Sequence, residues 1–195
     1  MTLLHEKLFS IPNSLSLLRL TLVPLLVFSA IYGYSQMFLW ILGVCLVSDV
    51  LDGYFARKLQ QVSTLGAKLD SWGDALTYAS MIFGLYRLWP LIFSEQGMFL
   101  LCSIMSFVVP LAAALLKFGE YPSYHTWGAK LAAVLIAPAY YLLILLDADV
   151  WFRFVIILYL LVAIEEIAIT LTLTSPKTNV SSVITLIQER RRIRN

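Results

Sequence analysis

Residues 49–74 read DVLDGYFARKLQQVSTLGAKLDSWGD, and strongly apolar segments lie on both sides of them. Four aspartates stand in this stretch, at positions 49, 52, 70 and 74. A carboxylate is costly in hydrocarbon, so acids within membrane-grade sequence are read as functional by default. The aspartates form two pairs on neighbouring helical segments, Asp49 with Asp52 and Asp70 with Asp74. The two pairs therefore predict a functional site.

The composition of the whole chain is that of a membrane protein. Of its 195 residues, 60% are hydrophobic and 13% are charged, and long apolar runs are the membrane signature. Six segments reach or exceed the roughly 20 residues that a helix needs to cross a bilayer. They are roughly 13–34, 36–59, 66–93, 97–117, 126–146 and 151–174. The expected fold class is an all-α integral membrane protein with six transmembrane helices.

The positions of the cations predict the orientation. Most lysines and arginines fall on one side of a six-span topology, and only Arg87 and Arg153 lie toward the other. By the positive-inside rule, both termini are cytoplasmic. The formal net charge of +2 then reflects topology, and no nucleic-acid partner is expected.

The chain is expected to form a single domain over residues 1–179, followed by a basic segment. Residues 180–195 combine a few apolar positions with an arginine cluster. This pattern is typical of an amphipathic helix on an anionic inner leaflet, and a basic cytoplasmic tail is the alternative. At the other end, Pro12 followed by Asn13 and Ser14 predicts a helix start with one of the latter two as N-cap.

Helical spacing places the acids on two faces, one on the second span and one on the third. The faces are Asp49, Asp52, Gly53 and Ala56, and Asp70, Asp74 and Thr77. A short turn around Gly66 makes the two spans antiparallel neighbours, so the faces should meet. At about 1.5 Å rise per residue, Asp49 lies within its span, roughly 20 Å from the outer end. The site is therefore expected in the inner third of the bilayer, open to the cytoplasm.

Four converging carboxylates need a counter-charge. Hard oxygen ligands without histidine or thiolate favour Mg²⁺, Mn²⁺ or Ca²⁺ over zinc. Two such ions would hold a diphosphate, and the small side chains at Gly53 and Ala56 would let it approach the helix. The alternative is a structural salt-bridge network with Arg19, Arg57 and Lys130, although the acids outnumber the close cations.

A family resemblance follows from the spacing of these residues. The pattern Asp49-x2-Asp52-Gly53-x2-Ala56-Arg57-x8-Gly66-x3-Asp70-x3-Asp74 resembles the complete signature of the CDP-alcohol phosphotransferases. The run Pro12-Asn13-x2-Ser16-x2-Arg19 is similar to the opening of many bacterial members. The resemblance implies transfer of the phosphatidyl group of CDP-diacylglycerol, or of a CDP-activated headgroup, to a small alcohol with release of CMP. It also implies a homodimer in the inner (cytoplasmic) membrane, with membrane lipid around it.

The resemblance also implies a role for each signature residue. Asp49, Asp52 and Asp70 would bind two divalent cations, Mg²⁺ or Mn²⁺, and touch the nucleotide. Asp74 would be a fourth ligand and the general base that deprotonates the acceptor hydroxyl. The remaining signature residues would line the CMP and diphosphate pocket; they are Gly53, Ala56, Arg57 and Gly66.

The acceptor is less well defined by the sequence. Ser71 and Ala75 stand where phosphatidylglycerophosphate synthases usually carry Pro and Lys, so a serine-using or inositol-phosphate-using member is favoured. The expected acceptor pocket draws on Arg19, Lys117, His125, Lys130, Glu165 and Glu166. The two glutamates are expected to pair with Arg19 or Lys130, or to bind an acceptor amine. An intramembrane prenyltransferase and a divalent-cation transporter are the alternative functions.

Overall fold

A computed structural model describes residues 10–60, 63–119, 124, 126–177, 180, 182–186 and 188, with the backbone alone for residues 57, 64, 65 and 67. All regular elements in this described part are helical, so the all-α prediction is confirmed. The helices are α1 (Ile11–Ile31), α2 (Ser35–Lys58), α3 (Thr64–Leu88), α4 (Pro90–Glu95), α5 (Gly97–Phe118), α6 (Trp127–Leu146) and α7 (Asp149–Thr172).

Five of these helices are long and apolar enough to cross a membrane: α1, α2, α5, α6 and α7. Helix α3 has 25 residues, a length of about 38 Å at 1.5 Å per residue. Asp70, Asp74 and the neighbouring polar residues make it less apolar than the other five. The multi-pass membrane class is thus supported, and the sixth span and the orientation of the termini stay predictions. Residues 183–186 are helical, and their interfacial position is likewise a prediction.

Proline and serine decide where three elements begin or end, and here the predictions from sequence were wrong. The third span was predicted to run to residue 93, but α3 ends at Leu88 and Trp89 leaves the helical conformation, with φ −133° and ψ 64°. Pro90 then starts α4. Proline has no N–H for a helical bond and disfavours helical geometry in the residue before it, so the helix ends there.

Ser10 and Ser63 cap the first and third helices. The Ser10 hydroxyl accepts a hydrogen bond from the Asn13 N–H at 3.3 Å, so the predicted caps at Asn13 or Ser14 were wrong. The Ser63 hydroxyl accepts from the Gly66 N–H at 2.9 Å. A serine in this position satisfies a backbone donor of the first turn. Gly66 therefore lies inside α3, and the prediction of a turn around it was also wrong.

The described residues up to Phe93 form one compact unit, in which α1 is the central helix. Helix α1 packs along both α2 and α3, whereas α2 and α3 contact each other over a shorter stretch. The apolar part of this packing includes Val23 and Leu26 of α1 and Phe38 and Leu42 of α2. The site residues from α2 and α3 are thus held together largely through α1.

The residues from Ser94 onward form a second compact unit, in which α7 packs against both α5 and α6. A small apolar cluster lies at the C-terminal end of α7. Its buried members are Tyr124, Ile169, Leu173, Val180 and Leu186. This cluster attaches the described part of the C-terminal segment to α7. The prediction of one domain over residues 1–179 stays a prediction.

Gly84 allows α3 to approach α2 closely, and we expect its replacement by alanine to destabilise the protein. A Cβ at this position would lie 2.3 Å from Cζ of Phe38 and 2.8 Å from both of its Cε atoms. The Phe38 ring is fully buried and packs edge-on against Trp89, so it has little room to move. Overpacking of this kind costs about 1–3 kcal/mol, which thermal unfolding in detergent would measure. Gly97→Ala is the control because a Cβ there meets nothing within 4 Å. Equal melting temperatures for the two variants would contradict this assignment.

Candidate active site

The N-terminal half of α1 buries a polar face. Asn13, Ser16 and Arg19 recur at intervals of three and are only 1%, 3% and 1% exposed. Residues three apart share one helical face. The acidic faces of α2 and α3 therefore meet a polar face of α1, rather than only each other as the sequence predicted.

The Arg19 guanidinium lies among all four signature aspartates, hereafter the carboxylate cluster (Asp49, Asp52, Asp70 and Asp74). Its Nη1 lies 2.8 Å from Asp49 Oδ1 and also pairs with Asp74 Oδ1. Its Nη2 pairs with Asp52 Oδ2 and lies 3.3 Å from Asp70 Oδ1. Each terminal nitrogen thus joins one carboxylate of α2 to one of α3. The predicted convergence of the two acidic faces is present, with Arg19 at its centre.

The four carboxylates differ in exposure. The Asp52 side chain is 6% exposed, and its Oδ2 accepts a hydrogen bond from the Ser16 hydroxyl at 2.9 Å. The side chains of Asp49, Asp70 and Asp74 are 41–43% exposed. Asp52 is therefore the inner anchor of the cluster, and the other three present oxygen atoms toward its open side.

The donor set of the carboxylate cluster fits a hard divalent cation. One oxygen from each of Asp49, Asp70 and Asp74 lies within 4.8 Å of the other two. Oxygens on one Mg²⁺ stand at most about 4.2 Å apart, because each bond is about 2.1 Å long. Shifts of about half an ångström would bring all three oxygens within bonding distance of one ion, and two ions could share them as they stand. The four formal negative charges exceed the one of Arg19 by three, so the cluster retains an attraction for cations.

The salt-bridge alternative was correct for Arg19, which pairs with all four carboxylates. Lys130 lies in the second unit, where its ammonium stands 5.1 Å from the centroid of the Trp127 ring. The side chain of Arg57 lies outside the described residues. The Arg19 guanidinium does not by itself neutralise four carboxylates, so a structural network built on Arg19 leaves surplus negative charge.

The small residues of the signature have different positions. Gly53 and Ala56 are half-buried on the face of α2 that carries Asp49 and Asp52. Gly66 packs against α1, since a Cβ there would lie 2.6 Å from Asn13 Oδ1 and 3.0 Å from Ser63 Oγ. Close helix approach is thus a sufficient reason for glycine at position 66, and its place in a CMP pocket stays a prediction.

The predicted acceptor-pocket residues divide between the two units. Arg19 belongs to the carboxylate cluster, and His125 lies outside the described residues. Lys117, Lys130 and the two glutamates belong to the second unit. Glu165 Oε1 accepts a hydrogen bond from the Val183 N–H at 3.3 Å. Neither glutamate forms an ion pair within the described part of this unit, so the predicted pairing with Lys130 was wrong.

Lys117 and Tyr124 hold the C-terminal end of α7, a role that the sequence did not indicate. The Lys117 ammonium donates to the carbonyl oxygens of Thr170 and Leu171 at 3.0 and 2.8 Å. A cation at this position satisfies carbonyls that have no helical partner. The Tyr124 hydroxyl lies 2.7 Å from Thr170 Oγ1, and burial raises the pKa of this phenol above its usual range. Both side chains therefore have structural partners.

Comparisons of the sequence with known proteins find a family model and several relatives that match it. The family model described as CDP-alcohol phosphatidyltransferase matches residues 9–174. A cardiolipin synthase (CMP-forming) of Streptomyces coelicolor is 32% identical over 152 residues, which are 75% of this chain and 70% of that protein. A CDP-diacylglycerol–glycerol-3-phosphate 3-phosphatidyltransferase of Aquifex aeolicus is 40% identical over 90 residues, 43% of this chain and 50% of that protein.

A human relative extends these comparisons beyond bacteria. A cardiolipin synthase (CMP-forming) of Homo sapiens is 35% identical over 89 residues, 40% of this chain and 30% of that protein. The chain thus matches half or less of the length of the Aquifex and human proteins. No solved structure matches the chain.

Proposed function

Because the chain belongs to the CDP-alcohol phosphatidyltransferase family, we propose that it transfers the phosphatidyl group of CDP-diacylglycerol to a small alcohol and releases CMP. Family membership supports an enzyme of phospholipid synthesis over the prenyltransferase and the cation transporter. One observation carries the proposal: the four aspartates of the signature converge on one place with surplus negative charge.

The proposed reaction is an attack on phosphorus. The acceptor hydroxyl oxygen forms a bond to the phosphorus that carries the lipid, and the bond from that phosphorus to the CMP oxygen breaks. Asp74 takes the hydroxyl proton, as a positioned carboxylate does in general base catalysis. Asp49, Asp52 and Asp70, with Asp74, would hold two divalent cations, Mg²⁺ or Mn²⁺. When bound, these cations would neutralise charge on the diphosphate and on the leaving CMP.

The placement of the reaction in the membrane is part of the proposal. We assign α3 as the sixth span, with the carboxylate cluster toward the cytoplasmic face of the inner membrane and the chain acting as a homodimer. The cation distribution supports this orientation, and the family resemblance supports the dimer. A site at this depth admits a soluble substrate from the cytoplasm and a lipid from the side.

The relatives bear on the acceptor. Glycerol 3-phosphate is the acceptor named for the Aquifex protein, and cardiolipin is the product named for the Streptomyces protein. Cardiolipin carries two phosphatidyl groups on one glycerol, so both products are made on a glycerol hydroxyl. We therefore place glycerol-containing alcohols first. The preference for serine or inositol phosphate that Ser71 and Ala75 suggested finds no support in these names.

An acceptor screen tests the proposed function. Purified protein in detergent would receive labelled CDP-diacylglycerol, Mg²⁺ or Mn²⁺, and one acceptor at a time. The panel would be glycerol 3-phosphate, phosphatidylglycerol, serine and inositol phosphate. We expect equal amounts of CMP and of one new phospholipid with a glycerol-containing acceptor. Absence of CMP with every acceptor would contradict the proposed function, and CMP with serine alone would contradict the choice of acceptor.

A further inference from the structure

Arg19 stands outside the aspartate signature, yet it has the most connections in the site. Its side chain is 1% exposed and comes from α1, whereas its four ion-pair partners come from α2 and α3. A buried arginine is tolerated only when charge partners and hydrogen bonds compensate for its lost hydration. Here the compensation comes entirely from the carboxylate cluster, since Arg19 Nε has no hydrogen-bond partner among the described residues.

We propose that Arg19 is the positioning residue of the carboxylate cluster, whose guanidinium holds the four aspartates together as an internal counter-charge. Nη1 joins Asp49 to Asp74, and Nη2 joins Asp52 to Asp70. Because α2 and α3 contact each other only over a short stretch, these ionic links from α1 fix the spacing of the two acidic faces.

The surroundings of Arg19 preserve this arrangement. Gly73 stands one residue before Asp74, and a Cβ there would lie 3.3 Å from Arg19 Cδ and 3.4 Å from its Nη1. Glycine thus leaves room for the guanidinium between the acids. Ser16, one turn before Arg19, donates to Asp52 from the same face of α1. Two residues of α1 therefore hold Asp52 while the more exposed carboxylates stay on the open side.

A consequence concerns metal binding, and this part rests on the proposed function. Divalent cations and the guanidinium would share the same carboxylate oxygens. When one of these positive groups is absent, the other can still reduce the repulsion among the carboxylates. Removal of the guanidinium should destabilise the metal-free protein most, because four carboxylates then repel one another without a counter-charge. Added cations should recover much of that loss.

The test uses the full chain in detergent with Arg19→Met, which keeps length and removes charge. Every protein compared, wild type included, would carry Cys102→Ser, which leaves the fully buried Cys45, one turn before Asp49, as the only thiol. We expect Arg19→Met in EDTA to lower the melting temperature by roughly 10 °C. We also expect faster reaction of Cys45 with a thiol reagent, and saturating Mn²⁺ should reverse most of both effects.

A second variant and a control make the result decisive. Arg19→Lys keeps the positive charge but lacks the two terminal nitrogens of the guanidinium. Its melting temperature and its rate of Cys45 labelling should therefore lie between those of wild type and Arg19→Met. Arg153→Met removes an arginine paired with Asp149 in the second unit, so its difference in melting temperature from wild type should be the same in EDTA and in Mn²⁺. If Arg19→Met fails to fold, Arg19→Lys carries the same comparison.

The outcomes separate this inference from the proposed function. Wild-type stability and labelling of both Arg19 variants in EDTA would overturn the role of Arg19. A loss that Mn²⁺ does not reverse, in a series where Mn²⁺ stabilises wild type, would overturn it as well. A loss in EDTA with no response to Mn²⁺ in any protein would support the role of Arg19 and contradict the proposed metal site.

Discussion

Replacement of Asp74 by asparagine is expected to lower CMP release by roughly 10²–10⁴-fold, the usual contribution of a general base. Asparagine has the same shape and keeps an oxygen that can accept from Arg19, so the packing of α3 should survive. What is lost is the negative charge and the ability to take a proton. CDP-diacylglycerol binding, measured separately by titration, should largely persist because three other carboxylates remain in the cluster.

Asp147→Asn is the matched control for this variant. Asp147 is exposed and ends α6 in the left-handed conformation, with φ 49°. Asparagine adopts that conformation readily. The control should therefore keep wild-type CMP release, and near-normal release by purified Asp74→Asn would remove Asp74 as the base.

Removal of divalent metal is expected to have an effect of similar size. In EDTA, CMP release should fall by roughly 10³-fold or more, and Mg²⁺ or Mn²⁺ should restore it. The physical reason is repulsion, since a diphosphate would otherwise approach a cluster that already carries surplus negative charge. Arg19 should keep the metal-free protein folded, so thermal unfolding in EDTA is the control. Full CMP release by folded protein in EDTA would contradict the metal-dependent reaction.

The convergence of the aspartates could be predicted from the sequence because two simple facts determine it. Helical spacing puts Asp49 with Asp52 and Asp70 with Asp74, and the cost of lipid exposure makes both pairs face protein. The packing of α1 on these aspartates could not be predicted in the same way. Helical spacing shows which residues share a face, but it does not show which helix packs against that face. The sequence does carry one unused signal for α1, since Asn13, Ser16 and Arg19 recur at intervals of three in an apolar segment.

The ends of the helices depend on individual proline and serine residues, and the spacing of apolar residues does not reveal their effect. Pro90 interrupts an apolar run that otherwise reads as one helix, and the effect of proline on its own N–H and on the preceding residue ends α3. Ser10 and Ser63 had competitors as caps within a few residues, so the choice depended on geometry. Lys117 was predicted to bind the acceptor, because the sequence does not show which acceptor group a cation near a membrane surface contacts. In the structure its ammonium donates to backbone carbonyls at the end of α7.

Titration with Mn²⁺, followed by electron paramagnetic resonance, tests most directly whether the carboxylate cluster is a cation site. The proteins to compare are wild type and the double variant Asp49→Asn/Asp70→Asn. The account predicts saturable Mn²⁺ binding by wild type, and binding weakened by at least about tenfold in the double variant, since two of four charged ligands are lost. Equal Mn²⁺ binding by the two proteins, or none by wild type, would contradict it.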